Sequence, residues 1–206
     1  MPRKTYHHGD LKNALVKAGI EILAEEGVRS LSLRKVAQKA GVSHTAPYAH
    51  FADKQALVAA ISTEGFQRLY ERIELAGREN FHDPALMLGR TAWAYVQFAL
   101  DDPAHFKVMF SNVVEQQRAY PEFVAMAQKN FQQLVTLVER GQQAGLLRPG
   151  PADALAVSIW SLVHGFVLLI LENQVSHSIL ERFSLKELLL LTLNQVTLGT
   201  LQADCI

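Results

Sequence analysis

Apolar residues recur along this chain at three- and four-residue spacing, the period of an amphipathic α-helix, in almost every segment. Leu11, Ala14, Leu15, Ala18 and Ile22 share one face of a first helix, which Asp10 is placed to cap and Gly27 to stop. Ser32 is placed to cap a short second helix, 33–40, whose Val36 and Ala37 face inward. Gly41-Val42-Ser43 then predicts a tight turn, and a third short helix runs to about Phe51. Asp53 opens a long fourth helix whose apolar positions are Leu57, Ile61, Phe66, Leu69 and Ile73.

Further along, Asp83-Pro84 and Asp102-Pro103 each set a capping aspartate before a proline at the first helical position. They predict helices over 84–100 and 103–111. Pro121 opens another that ends near Gly145, and Pro151 opens a very apolar one that lasts to Glu172. Ser184-Leu185-Lys186-Glu187 reads as a capping box that starts a leucine-rich last helix over 185–202, with 173–184 left as a loop. No segment alternates apolar and polar residues as a half-buried strand does. The expected fold class is all-α.

Composition narrows the setting. With 206 residues, 49% of them hydrophobic and 19% charged, the chain buries a full core, which excludes a disordered protein. The single cysteine, Cys205, allows neither an internal disulfide nor a cysteine-based zinc site. The N-terminus lacks the apolar core of a signal peptide, so a cytoplasmic location is expected. The apolar run Leu155–Leu171 is shorter than the roughly 18–20 residues of a membrane span, and Ser158, Ser161 and His164 interrupt it; a soluble helix is expected. Net charge is zero, but it is unevenly spread. Residues 1–55 hold nine Lys/Arg against five Asp/Glu, an excess of four, and the remainder carries the matching negative excess. A basic head on an acidic body suggests different partners for the two parts.

The run from Leu31 to Phe51 makes that head specific. Two short helices around a glycine turn fit a helix-turn-helix, which sets its second helix in a DNA major groove, or an ordinary helical hairpin in a bundle. Ala37 and Ala40 supply the small contact residues, Gly41 the turn geometry and Val42 an apolar plug. The wider pattern resembles the N-terminal domain of TetR-family transcriptional regulators. The matching residues are Arg34-Lys35-Val36-Ala37, Ala40-Gly41-Val42-Ser43, Tyr48, His50-Phe51, Lys54 and Leu57, together with Gly9-Asp10-Leu11 and the Glu-Glu-Gly27 helix end. In the second half, Trp160 with Val163-His164-Gly165 resembles the Trp-His-Gly element of one TetR subgroup.

The resemblance implies roles residue by residue. Arg34, His44 and Thr45 would face base edges, while Tyr48, His50 and Lys54 would hold phosphates, with Ser32 adding another phosphate bond. Phe51 falls at an apolar position. Pro47 departs from the usual leucine, and proline is tolerated only in a helix's first turn, so the recognition helix should start near Thr45 or be distorted. Arg3, Lys4, His7 and His8 are either an arm on the DNA or a plain basic tail.

The implied organisation is a DNA-binding domain over 1–55 and a helical ligand-binding and dimerisation domain over 56–206. Trp93, Phe106, Phe110, Phe123, Met126, Trp160 and His164 are the candidate ligand-binding residues, either a cavity wall or plain core. Helices 151–172 and 185–202 carry more apolar surface than one face can bury, which predicts a symmetric dimer in which Leu189 and Leu193 face outward. No nucleotide loop, nucleophile elbow or metal-binding histidine spacing is present, so no cofactor and no enzymatic activity are expected. The expected function is a homodimeric repressor that binds operator DNA and is released by a largely apolar small molecule. The rival is a DNA-binding helical protein controlled by a protein partner.

Overall fold

The computed structural model describes residues 8–79, 82–111, 114 and 117–197. Every extended element among them is helical: α1 (His8–Glu26), α2 (Leu33–Lys39), α3 (Lys54–Glu79), α4 (Pro84–Asp101), α5 (Pro103–Met109), α6 (Pro121–Gln143), α7 (Ala152–Leu171), α8 (His177–Leu180) and α9 (Leu185–Leu193). Short 3-10 turns lie at Val28–Ser30, Ala46–Ala49 and Gln117–Ala119. The all-α expectation holds.

Helix starts follow the capping residues. Asp53 Oδ1 accepts from Ala56 N–H at 2.8 Å, Asp83 Oδ1 from Ala85 and Leu86 N–H, and Asp102 Oδ1 from His105 N–H at 3.2 Å. Ser184 and Glu187 close a reciprocal capping box. Gly27 and Gly145 stop their helices at φ 76° and 71°, a left-handed conformation that costs glycine nothing.

Two expectations need correction. The stretch 173–184 contains a single helical turn, α8. The last helix is shorter than 185–202, because α9 ends at Leu193 and the chain then forms an isolated bridge between Thr197 and Leu147. Arg3, Lys4, His7, Leu198, Leu201 and Cys205 lie outside the described residues, and so do the side chains of His8 and Asp10.

The chain divides into two compact units. The first holds residues up to Gln67 together with Asp102–Ala127. Here α1 packs on α2 and α5 around Leu15, Ile22, Leu31, Val36, Phe51, Leu57 and Ile61, all buried. Gly19 lets α1 approach α3, since an added Cβ would lie 2.7 Å from Ile61 Cδ1. The ring of Phe106 packs on Phe110 at 4.9 Å, Phe110 on Phe66 at 5.3 Å and Phe66 on Phe123 at 5.9 Å. His105 is wholly buried, and its Nε2 donates to the Ile61 carbonyl at 2.8 Å. This bond satisfies a polar group that would otherwise be costly inside the core.

The second unit holds Arg68–Asp101 and the residues from Gln128 onward. Here α4, α7 and α9 pack against one another. Helix α7 is long and apolar enough to cross a membrane by length and composition. In this fold it is two-faced. Ala156, Ile159, Val163, Phe166 and Val167 are buried at helical spacing, while Val157, Trp160, Leu168 and Leu169 are exposed. Ser158 and Ser161 return their hydroxyls to the carbonyls of Ala154 and Val157, four residues back.

Helix α9 overturns the expected facing of its leucines. Leu189 and Leu193 are both fully buried, and Leu191 is the leucine turned out, at 54% exposure. Residues 189 and 193 are one helical turn apart and share a face, and it is this face that meets α4 and α7.

Candidate nucleic-acid interface

The reading head is built from helix ends. Ser32 caps α2, its hydroxyl accepting from Lys35 N–H at 3.2 Å. At the other end, Gly41 adopts φ 68°. Val42 N–H bonds the Ala37 carbonyl at 3.0 Å, and Gly41 N–H bonds that of Gln38 at 3.2 Å. This pair is a Schellman closure, and it fixes the direction in which the chain leaves α2.

Next comes the segment expected as a recognition helix ending near Phe51. It is a tight 3-10 turn, Ala46–Ala49, preceded by a turn in which Ala46 N–H bonds the Ser43 carbonyl at 3.0 Å. Pro47 bears on where the segment starts: it brings no N–H, and it stands in the first turn after Thr45, where a proline is tolerated. Tyr48 N–H bonds Thr45, and the amides of His50 and Phe51 both bond the Pro47 carbonyl at 2.9 Å. The distortion expected from Pro47 is present, and Phe51 is core, as expected.

Of the residues assigned to DNA, Ser32, Arg34, His44, Thr45 and Tyr48 are exposed, Tyr48 at 62%. Thr45 and Ser43 share a hydroxyl contact of 3.1 Å. His50 is half-buried, and its Nε2 has no hydrogen-bond partner among the described residues. Lys54 is half-buried as well, and its Nζ donates to the Val28 carbonyl at 2.9 Å. Nearby cations are paired with α1: Lys35 with Glu26, and Lys39 with Glu25 at 2.7 Å. The hydrogen bond that Lys39 donates to Glu25 holds its ammonium pKa above the ordinary value.

The seven residues expected to bind a ligand fall in both units. Phe106, Phe110, Phe123 and Met126 belong to the first unit, and the three phenylalanines join its ring-packed core. Trp93, Trp160 and His164 belong to the second. There, Trp160 and His164 lie one turn apart on α7 and converge on Tyr95 of α4. The Tyr95 hydroxyl is 2.7 Å from His164 Nδ1 and accepts from Trp160 Nε1 at 3.4 Å. Burial pushes the Tyr95 hydroxyl up and the His164 imidazole down, so both stay neutral near pH 7. Phe131 of α6 packs on Trp160, whereas Trp93 stands apart under the Lys186 ammonium at 5.2 Å. Tyr95 was one aromatic among many in the sequence, because its partners lie 65 and 69 residues away.

Residues 15–61 match the family model for bacterial regulatory proteins of the tetR family, and residues 88–192 match that for the tetracyclin repressor-like C-terminal domain. An uncharacterized HTH-type transcriptional regulator of Bacillus subtilis, YobS, is 28% identical over 79% of this chain and 80% of its own. The class A tetracycline repressor from transposon 1721 of Escherichia coli is 40% identical over 50 residues, 24% of this chain and 23% of the repressor. Among solved structures, a protein of unknown function from Rhodococcus sp. RHA1 is 30% identical with a TM-score of 0.80, covering 97% of this chain and 100% of its own. Family models thus account for both the helix-turn-helix head and more than half of the chain beyond it, and the chain belongs to the TetR family of bacterial transcriptional regulators.

Proposed function

We propose that this protein is a repressor that binds a two-fold operator as a homodimer and is released by a small molecule held in its second unit. The observation that carries the dimer is the outer face of α7 and α9. Val157, Leu168 and Leu169 on α7 and Leu191 on α9 are large, apolar and exposed. Ser161 and Gly165 lie among them, and a Cβ added to Gly165 would meet nothing within 4 Å among the described residues. An apolar face with small residues at its middle suits close packing against its own copy, and obligate interfaces of this kind bury above about 2,000 Å². Two heads related by that symmetry would meet half-sites about one DNA turn apart, or a multiple of it.

In each head, Arg34, His44 and Thr45 read base edges, and Ser32, Tyr48 and His50 are the residues beside the phosphates, with Lys54 at the start of α3 bonded to the Val28 carbonyl. The exposure of most of this set, and an arginine suited to guanine, support that division. The effector reading rests on Trp160, His164 and Tyr95, a hydrogen-bonded polar cluster between α4 and α7. The Trp-His-Gly element belongs to this cluster through Trp160 and His164. An effector acts only through its differential affinity for the DNA-competent and incompetent conformers.

Operator selection with the purified protein, followed by a mobility shift against a panel of small apolar and aromatic compounds, tests the whole reading. A palindromic site bound by two chains and dose-dependent release are the expected results. A single-headed site, or release only by a protein, overturns the dimer or the small-molecule effector respectively.

A further inference from the structure

We infer that Arg29 is a phosphate-binding residue of the reading head, and that Lys54 serves it by bracing the turn on which Arg29 stands. The inference rests on the assignment of this head to DNA, and it begins with charge. Within the head, Lys35 is held by Glu26, and Lys39 by Glu25 and Glu21. Lys12 faces Glu122 at 4.0 Å. A cation already matched by a carboxylate adds little field toward an incoming phosphate. Lys17 is exposed, but it lines a groove with Glu21 and Lys39 beside the last turn of α2, whereas Arg34 stands in the first.

Lys54 gives one N–H to the Val28 carbonyl and is half-buried. Arg29 and Arg34 remain as exposed guanidinium groups of the head with no carboxylate partner among the described residues. Arg34 already has a role at base edges. Arg29 has none assigned.

The local geometry gives it one. Arg29 follows Val28, whose carbonyl carries the Lys54 ammonium at 2.9 Å, so its backbone lies beside the start of α3. The turn around it is fixed at several points. Gly27 enters it at φ 76°, Ser30 Oγ donates to the Glu26 carbonyl at 3.2 Å, and Leu31 N–H bonds the Val28 carbonyl at 3.3 Å. A fixed backbone with a free, long side chain lets the guanidinium reach a phosphate presented at the start of α3. Its planar fork matches phosphate oxygens in a bidentate manner that an ammonium cannot. Lys54 is thereby a positioning residue, since it acts through the Val28 carbonyl.

Phosphate contacts are read by salt, and they need no operator. The experiment measures binding of the full-length protein to a fluorescein-labelled duplex of random sequence over a series of potassium chloride concentrations. Arg29→Gln is expected to flatten the slope of log affinity against log salt by about 0.9 for each head engaged. Its melting temperature should be that of the wild type, because Arg29 is exposed. Arg29→Lys should restore the slope with weaker affinity. Lys54→Met should lower the melting temperature while changing the slope less than Arg29→Gln does. A wild-type slope in Arg29→Gln overturns the proposal. Salt-independent binding by the wild type overturns the DNA reading beneath it.

Discussion

The Tyr95 hydroxyl accepts a hydrogen bond from Trp160 and stands 2.7 Å from His164 Nδ1, within hydrogen-bond distance. Burial holds the His164 imidazole below its ordinary value, which favours the neutral ring. A histidine depressed in the fold is protonated more readily when unfolded. Its contribution to stability is complete above the unfolded value near 6.5 and is lost as pH falls below it toward the folded value.

Acidification should consequently destabilise the wild type more than His164→Asn, whose amide can hydrogen-bond Tyr95 without titrating. Melting temperatures at pH 7.5 and pH 5.5 check this. Equal drops in the two proteins would show that His164 is not the depressed group.

Leu189 and Leu191 stand two residues apart on α9 and face opposite ways. Leu189→Ala should cost about 2–5 kcal/mol, the range for an emptied core position, visible as a lower denaturant midpoint. Leu191→Glu should leave the helical spectrum intact and shift the protein to monomer by light scattering. A dimeric Leu191→Glu would place the self-association surface elsewhere.

Arg34 tests base reading. Arg34→Ala should cost about 1–3 kcal/mol per half-site and broaden the selected operator at one position, the discrimination expected of a bidentate guanine contact. An unchanged operator preference assigns Arg34 to the backbone instead.

Two glycines of α3 should respond with opposite sign. At Gly65 an added Cβ would lie 2.5 Å from Met109 Sδ and 2.6 Å from His105 Nε2, and the imidazole is held by Ile61. At Gly77 the nearest atom, Thr91 Cγ2, is 3.6 Å away, an ordinary contact. Gly65→Ala should cost about 1–3 kcal/mol through overpacking, and Gly77→Ala should gain about 0.5–1 kcal/mol from helix propensity. Thermal melts of the pair decide it; two drops of equal size would mean that the close approach at Gly65 is not what sets the difference.

What the sequence made legible was local. Asp53, Asp83, Asp102 and Ser184 each cap the helix that their spacing announced, and Gly27, Gly41 and Gly145 each take the left-handed conformation of a stop or turn. These signals are carried by hydrogen bonds within three or four residues. The missed features depend on distant partners. The Lys54 bond to Val28 spans 26 residues, and the Tyr95–His164 pair spans 69. The facing of Leu189 was illegible for a related reason. A helix with leucine on every side has no periodicity to say which stripe its neighbours will cover. Family resemblance supplied the DNA-reading set, while the pairing of Lys35 and Lys39 with α1 became visible only in three dimensions.

The proline in the recognition turn has a thermodynamic consequence. A segment that holds the fixed φ of Pro47, with the amides of His50 and Phe51 both closed on its carbonyl, has less conformational freedom to lose on docking. A 3-10 turn also rises about 2.0 Å per residue, against 1.5 Å in an α-helix, so Ala46–Ala49 spans more length per residue than an α-helical turn would. Rigidity of this kind favours affinity for one groove shape over tolerance of many. On the DNA reading proposed above, a regulator built this way adapts to a new operator by exchanging side chains on a constrained turn.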